Sequence, residues 1–197
     1  GPVEVKYSEK PGPSQVADMS KYIDEEKKTI TSITGELVLD YGSGLCTLNA
    51  PKACSATGFL SKAGTIRLGP SAIRSGNEYA TVLIVSLDAR PLDTSAKVLV
   101  QVTTKDRPYG WKESPAIFKS SDKKTTFTGK RIDDTGAMPW NVENSDVTIA
   151  LRNANLKTAT LLDSNFYPAE NGTLKPTVTK GIIQLKLPAN AMYVVLK

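Results

Sequence analysis

The chain contains no histidine and only two cysteines among its 197 residues. Without an imidazole there is no Ser-His-Asp triad, no Cys-His dyad and no histidine-ligated metal. Two cysteines cannot build a four-thiolate zinc site or an iron–sulfur cluster. No metal and no cofactor is therefore expected. No apolar run approaches the roughly 18–20 residues that a membrane span needs. Charge of one sign is also scarce in excess: 25 Lys and Arg against 20 Asp and Glu leave a formal charge of +5. The lysine pairs Lys27-Lys28 and Lys123-Lys124 each sit beside acids, Asp24, Glu25 and Glu26 in the first case and Asp122 in the second. A nucleic-acid groove needs a dense basic stripe with interleaved aromatics. This pattern is that of a solvated surface, so neither nucleic acid nor membrane is expected as a partner.

What the chain does have is alternation. Glu78-Tyr79-Ala80-Thr81-Val82-Leu83-Ile84-Val85-Ser86-Leu87-Asp88 is apolar on both faces in its middle and is bounded by turn residues, which predicts a central strand. Lys97-Val98-Leu99-Val100-Gln101-Val102-Thr103-Thr104 follows as a second β-rich run, expected to pair antiparallel with the first. Further strands are expected over 36–41, 44–49, 54–60, 65–68, 146–151, 158–163, 173–179, 182–187 and 191–196. Gly-, Asn- and Pro-containing turns separate them, and Asn171-Gly172 reads as a two-residue hairpin turn. Many short strands with little helix predict an all-β fold, an antiparallel two-sheet β-sandwich over 30–197, entered by an N-terminal extended arm or linker over 1–29. Gly58, Phe59, Leu83, Val85, Val98, Val100, Ile149, Leu151 and Val194 are expected to line its core. Residues 20–28 read either as a short helix capped by Ser20 or as extended chain with a turn at Asp24-Glu25-Glu26. Residues 105–140, polar and carrying Pro108, Pro115 and Pro139, read as a long irregular excursion of the kind that bears function. The opening Gly1-Pro2-Val3, with neither Met nor a signal peptide, reads as an excised or mature fragment.

Chemistry is thin. Asp133-Asp134 and Asp24-Glu25-Glu26 are the adjacent acids, but both clusters lie in polar, turn-like sequence, whereas a glycosidase acid needs a desolvated carboxyl with a raised pKa. Gly42-Ser43-Gly44 joins two strands, so it is not a nucleophile elbow. The chain is not expected to be catalytic. Cys46 and Cys54 flank a turn at Ala50-Pro51; a hairpin closed symmetrically there faces them across the ladder, giving either a disulfide or two inert thiols. Asn171-Gly172-Thr173 matches a glycosylation sequon, which matters only in a eukaryotic secretory cell. Aromatic residues remain. Trp111 (in Pro108-Tyr109-Gly110-Trp111) and Trp140 (in Met138-Pro139-Trp140) lie in Pro- and Gly-rich sequence, where a flat ring can meet the CH face of a sugar or pin its own loop. Tyr109 beside Trp111, and Tyr167 in Asn165-Phe166-Tyr167-Pro168, join them as carbohydrate-binding candidates.

The order of motifs carries a resemblance. Thr34-Gly35-Glu36-Leu37-Val38-Leu39-Asp40-Tyr41-Gly42, continuing to Asn49-Ala50-Pro51, is similar to a T-G-E-L-x-W-D stretch followed by Gly and a strand ending in D/N-T/A-P, with Leu39 standing where Trp is frequent. Ala56-Thr57-Gly58-Phe59-Leu60 is similar to a V-x-G-F-L/I strand. Ser86-Leu87-Asp88-Ala89-Arg90-Pro91-Leu92 is similar to an S-L-D-G-K-P-L turn, and a later loop ends in Gly110-Trp111. Leu187-Pro188 with Tyr193 and Leu196 is similar to a closing L-P-x-x-x-x-Y-x-x-L strand. In combination these resemble the C-terminal β-sandwich region of large bacterial glycoside hydrolases, over roughly residues 30–197, with departures mainly in 118–140. The resemblance implies a non-catalytic, carbohydrate-binding accessory module of a secreted bacterial polysaccharide-degrading enzyme, extracellular or periplasmic. Its expected partners are a polysaccharide or oligosaccharide and the catalytic domain of the parent enzyme. The alternative it implies is a purely structural sandwich that packs on the catalytic barrel without binding glycan. The family's catalytic acids belong to the barrel, so none is carried over.

Overall fold

A computed structural model describes residues 5, 7–12, 18–122 and 124–197. The chain divides into two compact units, Gly1–Thr103 with Ser145–Lys197, and Thr104–Asn144. In the first unit the strands are β1 (Ile23–Asp24), β2 (Thr29–Thr31), β3 (Leu37–Asp40), β4 (Leu45–Ala50), β5 (Ala53–Gly58), β6 (Thr65–Leu68), β7 (Ser71–Ser75), β8 (Ala80–Ser86) and β9 (Val98–Thr104). The second unit holds β10 (Asp106–Tyr109), β11 (Lys112–Lys119), β12 (Thr126–Asp134) and β13 (Ala137–Val142). The first unit resumes with β14 (Val147–Arg152), β15 (Ala159–Leu162), β16 (Pro168–Leu174), β17 (Thr177–Thr179), β18 (Ile182–Lys186) and β19 (Tyr193–Leu196). The all-β, antiparallel two-sheet sandwich is the architecture observed. No helix among the described residues is long and apolar enough to cross a membrane.

A ten-stranded sheet runs β1-β2-β3-β4-β5-β8-β9-β19-β15-β16, and a five-stranded sheet runs β17-β18-β14-β7-β6. Period-two alternation decides which side chains fill the space between them. Cys54, Ala56, Val82, Ile84, Val98, Val100, Val194 and Leu196 point inward from the larger sheet, and Ile73, Ile149, Leu151 and Ile183 from the smaller. Each fully buried aliphatic side chain contributes about 1.5–3 kcal/mol of transfer free energy. Of the expected core positions, Gly58, Val98, Val100, Ile149, Leu151 and Val194 are buried. Leu83 and Val85 are not in the core: β8 turns Val82 and Ile84 inward, so its odd-numbered neighbours face out and are half-buried. Phe59 lies beyond the end of β5 and is exposed, its ring edge-on to Tyr79 at 5.4 Å.

The loop between β8 and β9 ties the two sheets together. Leu92 in it is fully buried. Asn153, just past β14, donates from Nδ2 to the carbonyls of Leu92 (2.7 Å) and Ser95 (2.8 Å). Asp88 accepts from the Ser95 and Ser86 hydroxyls and from the Ala96 amide at 2.7–2.8 Å. These bonds, Ser95 first, hold its carboxyl well below the usual carboxylate range.

Several local expectations change. Residues 20–28 do not form one helix but follow the extended reading: a one-turn 3-10 helix at Ser20–Tyr22 leads into β1, then a turn over 25–28, then β2, which with β1 extends the ten-stranded sheet. Residues 1–4, 6 and 13–17 of the N-terminal segment lie outside the described residues. Asn171-Gly172 is not a hairpin turn. It sits inside β16 at a break in register against β15, where a Cβ on Gly172 would meet the carbonyl oxygens of Ala169 and Leu161 at 2.7 Å. The two-residue hairpin turn is instead Lys180-Gly181 between β17 and β18, with both φ angles positive.

The excursion over 105–140 is not irregular. In the second unit β10 pairs β13 and β11 pairs β12, making a long two-stranded antiparallel ribbon. Its prolines fit because both strands of such a ribbon are edges, where a missing amide donor costs least. Phe118 and Phe127 face each other near its tip with rings 6.0 Å apart, and Phe118 lies over Gly129.

Candidate functional site

The cysteines settle one question directly. The hairpin of β4 and β5 closes on Pro51-Lys52, pairing Ala50 with Ala53 and hence Cys46 with Thr57 and Asn49 with Cys54. Cys46 and Cys54 are free thiols on opposite faces of the sheet, and no disulfide joins them. Cys54 is buried, donates to the Leu68 carbonyl at 3.4 Å, and its thiol is pushed up by burial. Cys46 faces outward.

That outward face is the largest unusual feature of the first unit. Register assigns its occupants across the sheet: Ile23 and Ile30, then Leu37 and Leu39, Cys46 and Leu48, Ser55 and Thr57, Leu83 and Val85, Leu99 and Gln101, Val195, and Leu162. No charged side chain occupies an outward ladder position across the first nine strands in sheet order. Ile23, Ile30, Leu37 and Leu39 are exposed, Leu39 at 41%. Two concavities interrupt this face, one of about 650 Å³ lined by Met19, Ile30, Leu39 and Cys46, and one of about 270 Å³ lined by Leu37, Leu48, Leu83 and Gln101. A third, of about 440 Å³, lies at the β9-β19-β15-β16 end. The sequence signal for this face was the apolar character of both sides of 78–88. Alternation alone does not say which side is covered.

The four aromatic candidates divide between the two units. In the ribbon, Trp140 pairs with Pro108 and is 51% exposed. Tyr109, 67% exposed, alternates to the opposite face from Pro108 and Trp140 and pairs with Ala137 across a bulge. Trp111 is half-buried. Its indole N–H donates to Glu113 at 3.2 Å, and the Arg107 guanidinium lies 5.0 Å from its ring centroid, so one face is occupied. Glu113 also takes an ion pair from Lys130, which, ahead of the Trp111 bond, holds its carboxyl below the usual range. Tyr167, 69% exposed, belongs to the other unit.

The acids follow one rule. Asp133 accepts from Ser114 and Arg131, and Asp24 from the Lys27 amide and ammonium; both carboxyls are lowered by those bonds. Asp134 accepts from the Gly136 amide at 2.9 Å. A carboxylate stabilised in its charged form suits an anchor and is the opposite of what a proton donor requires.

No family model, no curated protein and no solved structure matches this chain.

Proposed function

We propose that this chain is a non-catalytic accessory module of a polysaccharide-degrading enzyme, held against a neighbouring domain of that enzyme by the outer face of its ten-stranded sheet. The reading rests on one observation. A sheet face that meets water alternates apolar-in with polar-out, whereas this one carries leucine, isoleucine and valine on its outward side and no charge across nine strands. An uncharged, largely apolar surface of this kind, with Ser55, Thr57 and Gln101 its polar positions, fits a packing site. Nine strands about 4.8 Å apart, each contributing a few residues at about 3.3 Å, span roughly 500 Å², approaching the roughly 800 Å² that each partner gives to a standard interface. Leu39, at the position where the resembled family often has Trp, lies on this face.

The test is association of the separately produced module with the remainder of the polypeptide that carries it. Leu39→Lys and Leu48→Lys are expected to weaken association at least tenfold, while Arg74→Leu on the opposite sheet leaves it unchanged. Equal affinity for all three overturns the docking reading.

One observation favours the glycan-binding reading beside it. Trp140 stands half-exposed on a ribbon whose other aromatics, Tyr109 among them, are not consumed in a core. If this ring stacks on a sugar, Trp140→Ala should cost about 1–3 kcal/mol of affinity, as truncation of an aromatic anchor does, in calorimetry across a polysaccharide panel. No binding of any glycan by the wild-type chain removes this reading and leaves docking intact.

A further inference from the structure

The third concavity, at the far end of the same sheet face, differs from the other two in its rim. Its floor is Leu99, Val195 and Thr160, which register places side by side on β9, β19 and β15, with Leu162 two residues further along β15 opposite Tyr193. Phe166 and Pro168 wall one side. Lys97 and Lys197 close one end, each one residue beyond the paired Val98 and Leu196, and no Asp or Glu side chain is among the lining residues. Like charges at facing positions of neighbouring strands repel, and among the described residues neither ammonium has an ion-pair or hydrogen-bond partner. Asp88, the carboxylate closest in sequence to Leu87 of this lining, spends its oxygens on Ser86, Ser95 and the amides of Arg90 and Ala96.

The wall is held in place at a cost. Phe166 has φ +66°, the left-handed region that a bulky residue avoids. Asp163 enforces it: its carboxylate accepts the amides of Asn165 (2.8 Å) and Tyr167 (3.0 Å), its carbonyl accepts the Phe166 amide (3.1 Å), and its own amide bonds the Tyr167 carbonyl (2.8 Å). Asn or Gly would satisfy this turn without strain. A phenylalanine here buys a ring at the groove wall, 58% exposed and 4.6 Å from the Tyr193 ring. Strained backbone that positions an exposed side chain is a mark of a ligand site.

From the apolar floor, the fixed ring and the two unpaired ammoniums we infer that this groove binds a small amphipathic anion, an aromatic carboxylate whose ring lies on Leu99 and Val195 against Phe166 while its carboxylate meets Lys97 and Lys197. The volume of about 440 Å³ is within the about 300–1,000 Å³ of small-molecule sites. The groove's floor belongs to the same nine-strand face as the docking reading, but the inference does not rest on that reading, and the test separates the two because Leu37, Leu39 and Leu48 lie on β3 and β4.

Methyl NMR with 2-naphthoate tests it on the whole chain. The expected result is saturable shifts confined to Leu99, Leu162 and Val195, with Leu37, Leu39 and Leu48 unmoved. The neutral isostere 2-naphthamide should bind at least tenfold more weakly, as should 2-naphthoate to Lys97→Glu. Phe166→Asn keeps the turn, removes the ring, and should weaken binding at least tenfold with the methyl spectrum otherwise preserved. No shift at millimolar 2-naphthoate, equal affinity for the amide, or shifts spread over Leu37 and Leu48 would each overturn the inference; in the last case the docking reading would still stand.

Discussion

Arg67, Arg74, Arg152 and Lys186 face outward from the five-stranded sheet, with Thr65, Thr148, Gln184 and Thr177 between them. The outward positions of the ten-stranded sheet hold Ile30, Leu37, Leu39, Leu48, Leu83 and Leu99 instead. Both sheets use the same alternation and bury the same kind of residue between them. They differ only in what the other side of each strand is made for. Arginine and threonine keep the smaller sheet wetted. Leucine and isoleucine on the larger sheet leave a surface that water covers at a cost of about 25 cal/mol per Å². On the proposed reading, two sheets of one sandwich have one core and two destinations, one in solvent and one against another surface.

The sharpest way to separate the two sides of a strand is a pair of adjacent substitutions. Ile84 is fully buried and its neighbour Leu83 faces out. Ile84→Ala should cost about 2–5 kcal/mol in urea unfolding, the range for a buried aliphatic truncation, and Leu83→Ala less than half as much. Equal costs would mean that both sides of β8 are core, and the comparison would fail. Next comes the connection that makes the two sheets one body. Removing the Asn153 amide leaves the buried Leu92 and Ser95 carbonyls without their donor, so Asn153→Ala should destabilise by about 1–3 kcal/mol. A neutral result would show that the loop over 87–97 does not staple the sheets.

Acid sharpens the same point. The folded-state pKa of Asp88 lies below its unfolded value of about 3.9. Its contribution to stability is therefore complete above that value and is lost as pH falls through it toward the folded pKa. Asp88→Asn should lower stability at neutral pH and flatten the decline below about pH 4; an unchanged acid limb would remove Asp88 from the staple. The smallest effect is expected where the two faces are exchanged in character. Leu37→Lys with Leu39→Lys should change the stability of the chain itself by no more than about 0.5 kcal/mol, as exposed substitutions do, while raising its solubility. Arg67→Leu with Arg74→Leu should be as mild in stability and lower solubility, having made the second face resemble the first. A large loss of stability in either double variant would mean that the face is already part of this chain's own packing.

The strands were legible because alternation and turn residues are local. Runs such as 97–104 and 182–187 could be placed without knowing what they pack against. Register was not legible. Pro51 fixes φ for the first corner of a turn, so the hairpin closes on Pro51-Lys52, Cys46 meets Thr57 three residues past Cys54, and that odd offset sends the two cysteines to opposite faces. Asn171-Gly172 has the composition of a hairpin turn, yet its glycine serves close approach to Leu161 and Ala169 within a strand. Residues 105–140 looked irregular because three prolines sit in them, and only the pairing shows a ribbon whose two edges tolerate proline. The docking face was half visible. Apolar residues on both sides of 78–88 announced a strand with two buried sides, but among the described residues the outward side of β8 is only half-buried.

The two thiols give the proposed cover a direct measure, since Cys46 lies on the outer face and Cys54 beneath it in the core. Labelling with an aromatic disulfide should modify Cys46 readily in the isolated chain and leave Cys54 untouched until unfolding. In the polypeptide as its source expresses it, the Cys46 rate should fall at least tenfold with Cys54 still silent. An undiminished Cys46 rate there would contradict the proposal that this sheet face is a seat for another domain.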